Sequence, residues 1–186
     1  MTSAADPPPP AADVLATPSL ARRMAAFTYE GVLLFGVVSI AGYLYATLTQ
    51  QRHALQGQTG LQAFVFVVLG IYFVVFWSRG RQTVAQRAWH IRVVGVDGAP
   101  IGQARALARY LASWVWFLPA LASAHFAGLR SALEIFVLMG VGIAAYALLS
   151  LLHPQRQFWH DALCGTRLVT WHVKAPGHNR THDARR

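Results

Sequence analysis

The sequence predicts an all-α membrane protein, a bundle of about four transmembrane helices with a cytoplasmic interfacial helix and a small β-hairpin or sheet. Of the 186 residues, 55% are hydrophobic and only 12% are charged, against roughly 25% charged residues in an average soluble domain. The apolar residues also lie in long blocks and not in the short amphipathic runs of a soluble core. Both observations indicate a chain that folds in lipid.

Four apolar blocks carry the prediction of four spans. They cover residues 24–48, 61–77, 110–128 and 135–152, and each has the roughly 17 to 25 residues that a helix needs to cross about 30 Å of hydrocarbon. The block at 110–128 is the weakest of the four, because Pro119 should kink its helix and its many aromatic residues favour an interface. A three-span alternative places this block in the interface.

The basic residues favour one side of the membrane. Fourteen of the 16 Lys and Arg residues lie in the N-terminal segment, the 78–109 loop or the tail after Leu152, and the two other loops hold only Arg52 and Arg130. The positive-inside rule therefore predicts a multi-pass membrane protein with both termini in the cytoplasm. The net charge of +9 would then face anionic lipid headgroups. Nucleic acid is not an expected partner, since no reader motif accompanies the charge.

Two tails are predicted to flank a membrane domain at residues 19–173. Residues 1–18 contain a run of four prolines, and residues 174–186 are mostly polar with mixed charge. Neither segment shows apolar periodicity, so both are predicted to be disordered.

The 78–109 loop opens with a basic amphipathic stretch, RQTVAQRAWH. Such a stretch is typical of a helix that lies on a membrane surface. We expect Val84 and Trp89 to face lipid, and Arg81 and Arg87 to face headgroups.

A strand signal follows in the same loop. In IRVVGVDGAPIG, β-branched residues flank Asp97-Gly98, a dipeptide suited to the tight turn of a hairpin. Residues 167–173 (RLVTWHV) form a similar pattern in the tail. The two segments are therefore also candidates to pair in a small cytoplasmic sheet.

Three motifs in order resemble the RDD family of membrane proteins. They are an arginine at the mouth of the first helix with an acid inside it, the Gln82-Thr83 loop leading into IRVVGVDGAP, and HDALCGTRLV at residues 160–169. The resemblance covers most of residues 19–173. It implies a bacterial inner-membrane protein, from a family that is named for one arginine and two aspartates and whose members are of largely unknown function, suggested in places to be transporters.

The resemblance also assigns positions. Arg23 resembles the family arginine, with Arg22 as the neighbouring candidate, and Asp161 resembles the second aspartate. Glu30 stands where the first aspartate is expected, so the carboxylate is kept with an added methylene. In the loop, Ala85-Gln86-Arg87 replaces the more usual glycine followed by two basic residues.

Glu30 carries the sharpest functional hypothesis. It lies about 9 Å along the first block at helical rise, where an unpaired carboxylate would be costly or protonated. It is predicted either to take up a proton or cation or to be held in a fixed ion pair. Arg109, at the mouth of the third block, is its expected partner, because the Arg23 side chain leans toward the helix N-terminus and away from Glu30.

Asp161 is expected to cap a short helix or to pair with a loop arginine such as Arg87, with a proton relay as the alternative. The candidates for a pocket that binds anionic lipid or ligand are Arg81, Arg87 and Arg105. No metal site, cofactor or catalytic residue is expected, because the histidines lack a closed ligand set and nothing marks a nucleophile.

Two functions of different classes remain open, and neither is enzymatic. One is a small transporter or ion-translocating protein, working alone or as a homo-oligomer, that uses Glu30. The other is a non-transporting scaffold or accessory subunit that binds lipid or a membrane partner. A polar cavity reaching Glu30 would favour the first, and close contact of Glu30 with an arginine would favour the second.

Overall fold

The computed structural model describes residues 16–49 and 58–171. In this part of the chain three helices are long and apolar enough to cross a membrane. They are α1 (Leu20–Leu48), α2 (Gln58–Trp77) and α6 (Ala132–Leu149), the last continued by a 3-10 turn (Ser150–Leu152). They cover the apolar blocks at 24–48, 61–77 and 135–152, so the prediction that these blocks form membrane-length helices is confirmed.

Large apolar side chains on these helices point outward. Phe35 is 77% exposed, Leu48 78% and Phe136 75%. A contiguous surface of this kind would be unfavourable in water. Hydrocarbon is therefore the solvent that suits the outer faces of α1 and α6.

The block at 110–128 is not a single helix. α4 (Gln103–Ser113) ends within it, a 3-10 turn (Trp114–Trp116) follows, and α5 (Leu118–Phe126) completes it. Pro119 lies in the first turn of α5, where its missing N–H leaves no intrahelical hydrogen bond unmade. A break thus takes the place of the expected kink, and a bundle of four membrane-spanning helices is not confirmed.

A short helix, α3 (Val84–Ala88), forms in the stretch predicted to be interfacial. Thr83 is its N-cap: the Thr83 hydroxyl accepts from the Gln86 backbone N–H at 3.1 Å, and the Gln86 side-chain oxygen accepts from the Thr83 N–H at 3.1 Å. This reciprocal capping box stabilises a helix of only five residues. Its position on a membrane surface stays a prediction.

The loop strand pairs with the tail strand. β1 (Ile91–Gly95) runs antiparallel to β2 (Thr166–Thr170), which confirms the predicted small sheet. The Asp97-Gly98 turn also forms, with Gly98 at a φ of 81°, a backbone conformation that glycine adopts at no steric cost. The prediction of a local hairpin is wrong, because after the turn Ile101 forms a bridge with Ser78 and not with β1.

The two ends of the described chain meet beside this sheet, where the Thr170 N–H donates to the Ala16 carbonyl at 2.8 Å. α1 contacts α3 and α2 contacts α4, while α4 also contacts α7 (Trp159–Leu163). The protein therefore buries its main core at one end of the long helices. This core comprises Ala26, Trp77, Ile91, Val93, Ile101, Ala106, Tyr110, Trp116, Ala147, Phe158 and Leu168.

The predicted tails cannot be compared with this fold. Apart from residues 16–18, the segments 1–18 and 174–186 lie outside the described residues.

Candidate functional site

A buried ion pair joins α4 to α7. Arg109 donates its Nε–H to Asp161 Oδ1 at 2.6 Å, and the two side chains are 6% and 0% exposed. The Arg109 guanidinium also lies 4.0 Å from the centroid of the Trp77 ring. The expected pair of Arg109 with Glu30 is therefore wrong. Asp161 does pair with an arginine of the 78–109 segment, but with Arg109 and not with Arg87. The physical reason is that α7 brings Asp161 against α4, whereas the Arg87 side chain is exposed on α3.

Asp161 keeps one oxygen without a partner. It lies in the first turn of α7, whose N-cap is Phe158, so Asp161 does not cap the helix as expected. The Thr166 hydroxyl donates to the Asp161 carbonyl at 3.1 Å and lies 3.4 Å from Oδ1. Among the described residues, Oδ2 has no hydrogen-bond donor. The carboxylate can therefore accept one more donor.

His160 is buried between aromatic rings and is held neutral. Its Nδ1 lies 3.0 Å from the Tyr146 hydroxyl, and its Nε2 lies 3.4 Å from Asp161 Oδ1. Burial lowers the pKa of His160 to about 4, outweighing the neighbouring carboxylate of Asp161, which acts to raise it. A neutral ring with its proton on Nε2 suits both contacts, since Nδ1 then accepts from Tyr146 and Nε2 points its N–H at Asp161.

Arg23 is buried near this pair without joining it. The side chain is enclosed at the start of α1, with Nη2 3.5 Å from the Ser150 hydroxyl and the guanidinium carbon 4.4 Å from the Phe158 ring centroid. Its Nε and Nη1 have no hydrogen-bond acceptor within residues 16–49 and 58–171. Arg23 thus keeps unused donors inside the protein.

Glu30 is bonded to hydroxyl groups. Tyr72 donates to Glu30 Oε1 at 2.6 Å, and Thr83 donates to Glu30 Oε2. No basic side chain in the described part of the chain lies within ion-pair distance of this carboxylate. Because the Thr83 side chain also caps α3, Glu30 connects α1 to α2 and to the start of α3.

A cavity of about 300 Å³ brings these groups together. Its polar lining includes Arg23, Glu30, Arg109 and His160, whereas Asp161 lies behind it. The rest of the wall is mainly apolar and aromatic, formed by Phe27, Leu34, Leu69, Phe73, Trp77, Trp114, Trp116, Phe117 and Phe158, among others. The cavity therefore combines charged groups with an apolar wall.

Most of the chain matches one family. A model of the RDD family matches residues 17–165. The chain belongs to the RDD family. Together with the long apolar helices, this makes it a membrane protein. No curated protein and no solved structure matches the chain.

The three residues predicted to form the motif of this RDD protein have separate partners. Arg23 and Glu30 line the same cavity, and Asp161 bonds to Arg109 behind it. The predicted basic pocket is not part of this site, because Arg81, Arg87 and Arg105 are exposed and none of them lines the cavity. A role for them at lipid headgroups stays a prediction.

Sequence reasoning missed several residues of the site in this RDD protein. Tyr72 carries the only hydroxyl in the block at 61–77, which is a signal that could have singled it out. Thr83 is followed three residues later by Gln86, which is the capping-box pattern. The role of Thr83 as the N-cap of α3 could therefore have been predicted from the sequence. Nothing in the sequence marks His160 as the neighbour of Tyr146, since these side chains meet only in the folded chain.

Proposed function

We propose that this RDD protein is a small transporter or ion-translocating protein of the bacterial inner membrane, in which Glu30 takes up and releases a proton or a cation. The environment of Glu30 carries the proposal: its carboxylate lines the cavity and is held by hydroxyls, without an arginine at ion-pair distance among the described residues. A carboxylate that is not neutralised by a fixed cation can change its charge without breaking an ion pair.

The two hydroxyl partners suit such a change of charge. A hydroxyl donates to an ionised carboxylate and can accept from a protonated one. Tyr72 and Thr83 can therefore hold Glu30 in both protonation states with small rotations of their O–H bonds. The exchange at Glu30 would not require α1 and α2 to separate.

We further propose four crossings with both ends on one side. The hydrogen bond between Thr170 and Ala16 supports this, because an odd number of crossings would separate the ends. α4 begins at the end of the molecule that holds Arg109 and Asp161, and α6 returns to that end at Ser150. Residues 103–126 then supply the fourth crossing as a broken helix, which membranes tolerate where neighbouring protein covers the break.

The cytoplasm is the proposed side of both ends. The N-terminal segment, the 78–109 loop and the tail hold fourteen of the 16 basic residues, and the positive-inside rule places such segments in the cytoplasm. Arg81, Arg87 and Arg105 would then be solvated beside anionic headgroups.

A second function is favoured by a different observation. The ion pair of Arg109 and Asp161 is almost entirely buried and joins α4 to α7, as expected of a non-transporting scaffold or accessory subunit that binds a membrane partner or a second copy. Neither function requires a catalytic residue.

Flux into proteoliposomes tests the proposal. Purified protein is reconstituted, and proton- and sodium-coupled flux is compared for the parent, Glu30→Gln and Glu134→Gln. Glu134 is the matched control, since it is an exposed acid in the first turn of α6. We expect flux in the parent and in the control, and a loss of at least about tenfold in Glu30→Gln. Flux that survives Glu30→Gln would exclude the mechanism, and no flux in any of the three would favour the scaffold.

A further inference from the structure

Arg23 is a buried charge whose hydrogen-bonding capacity is largely unused. The residue is 3% exposed, and its Nε and Nη1 have no acceptor in the part of the chain that the structure describes. Its contact with Ser150, at 3.5 Å, is long for a hydrogen bond. A guanidinium stays protonated in proteins, and a buried charge without a partner is costly. The site therefore favours an anion beside Arg23.

The charges around Arg23 leave room for such an anion. Two arginines, Arg23 and Arg109, are buried at this end of the cavity against one aspartate, Asp161, and the aspartate is bonded to Arg109. His160 adds no charge, because burial lowers its pKa to about 4. The deeply buried groups thus carry one positive charge more than Asp161 can balance. Glu30, the other acid at this cavity, is only partly buried and is bonded to hydroxyl groups.

The wall of the cavity indicates the chemistry of the part of the ligand that does not contact Arg23. The Phe27 and Trp116 rings stack with centroids 4.9 Å apart, and the Phe158 ring lies under the Arg23 guanidinium. These rings present an apolar surface next to the charge. The volume of about 300 Å³ is at the small end of ligand sites.

We infer that this cavity binds a small amphipathic anion, with the charged group at Arg23 and the apolar chain against the aromatic wall. The inference deepens the proposed function, on which it rests for the use of the same cavity, by naming a class of solute. The shared chemistry is a carboxylate or phosphate on an apolar chain, from a dissolved organic acid or from a membrane lipid.

Glu30 makes the inference more specific, because it lines the same cavity as Arg23. An ionised Glu30 would repel the bound anion, and a neutral one would not. Replacing Glu30 with Gln is therefore expected to tighten anion binding. In the native protein, uptake of a proton at Glu30 and of an anion at Arg23 would favour each other.

Equilibrium binding of octanoate tests the inference. The full chain is purified in an uncharged detergent, and binding of radiolabelled octanoate is measured, with octanol and octylammonium as competitors of matched chain length. We expect saturable binding, competition by octanol and octylammonium at least tenfold weaker than by unlabelled octanoate, and about tenfold or greater loss in Arg23→Gln.

Arg22→Gln is the matched control. It removes the same charge from the adjacent position, but Arg22 donates to the Trp89 carbonyl and does not line the cavity, so octanoate affinity should not change. Arg23→Lys keeps the charge and should retain part of the affinity, which covers the case in which Arg23→Gln does not fold. The inference is overturned if folded Arg23→Gln binds octanoate like the parent, or if octanol competes as well as octanoate. Arg23 would then have only a structural role in the core.

Nanodiscs separate the two sources of the anion. Octanoate binding that is lost when phosphatidylglycerol is added to phosphatidylcholine discs assigns the site to a lipid, and binding that persists assigns it to a dissolved acid. Both results support the inference. Failure of the anion-binding inference can be distinguished from failure of the proposed transport. A protein that binds octanoate through Arg23 but shows no flux would support anion binding and contradict transport.

Discussion

Arg109 and Asp161 are 52 residues apart in the chain, yet they form a 2.6 Å ion pair with almost no solvent exposure. Arg109→Ala or Asp161→Ala leaves the other charge buried alone, so each should lower the free energy of unfolding by about 3 to 5 kcal/mol. Thermal unfolding in detergent measures the loss. A double variant, Arg109→Met with Asp161→Leu, should regain part of it, because it leaves no unpaired charge.

Arg105→Gln is the control for this prediction. Arg105 lies one helical turn before Arg109 on α4 but is exposed, so its replacement should change stability by less than about 0.5 kcal/mol. The structural account of the pair fails if the single variants at Arg109 and Asp161 are as stable as Arg105→Gln.

The burial of His160 should make stability fall in acid. The unfolded histidine has a pKa of 6.5 and burial lowers the native pKa to about 4. Between these values the unfolded chain binds a proton that the native state does not. The free energy of unfolding therefore decreases as the pH is lowered through this window, by up to about 1.4 kcal/mol per pH unit. Above pH 6.5 and below about pH 4, the contribution of His160 does not change with pH.

Melting temperatures measured from pH 4 to 7 test this prediction. His160→Gln should flatten the dependence on pH, although it also lowers stability by removing the contact with Tyr146. His125→Gln, at an exposed position, should keep the slope of the parent. A parent slope that survives in His160→Gln would assign the acid sensitivity to other groups.

The Thr83 hydroxyl serves both α3 and Glu30. Thr83→Ala removes the cap of α3 and a hydrogen bond to Glu30, so we expect a loss of about 1 kcal/mol or more and faster amide exchange over residues 84–89. Thr83→Ser keeps the hydroxyl and should restore slow exchange. Hydrogen exchange read by mass spectrometry would contradict the assignment if the serine variant exchanged as fast as the alanine variant.

Gly70 allows Tyr110 to pack closely on α2. A Cβ at Gly70 would lie 3.1 Å from the Tyr110 ring, whose hydroxyl donates to the Phe66 carbonyl at 2.7 Å. Gly70→Leu should therefore push α4 from α2 and cost about 1 to 3 kcal/mol in thermal unfolding. Gly36→Leu enters open space on α1 and is the control. Equal melting temperatures for the two variants would show that this contact is not tight.

The long helices could be predicted because span length depends on local composition alone. The pairing of β1 with β2 was also readable, since both segments carry β-branched residues. The local hairpin was wrong because β1 has a better partner far along the chain. In the block at 110–128, Pro119 indicated that a helix could not continue regularly. Whether the helix kinks or breaks there depends on how Trp116 packs against the core.

The partners of the charged residues could not be predicted. Arg109 was predicted to pair with Glu30 because both lie near the predicted cytoplasmic ends of their helices. Nothing in the local sequence shows that α7 brings Asp161 against Arg109. The Glu30 partners lie 42 and 53 residues away and carry hydroxyls, which an argument from charge alone overlooks. The family was recognisable from the sequence, whereas the contacts of these residues depend on tertiary packing.

Carbodiimide labelling is a direct probe of the proposed exchange of a proton or cation at Glu30 through the cavity. The apolar reagent dicyclohexylcarbodiimide modifies carboxyl groups in their protonated form, and mass spectrometry locates the adduct. We predict an adduct at Glu30 in membranes that increases as the pH is lowered and decreases when sodium or another transported cation is added, with Glu134 as the internal comparison. An absence of adduct at Glu30 at every pH, or labelling unaffected by both pH and cations, would show that Glu30 does not exchange a proton or a cation.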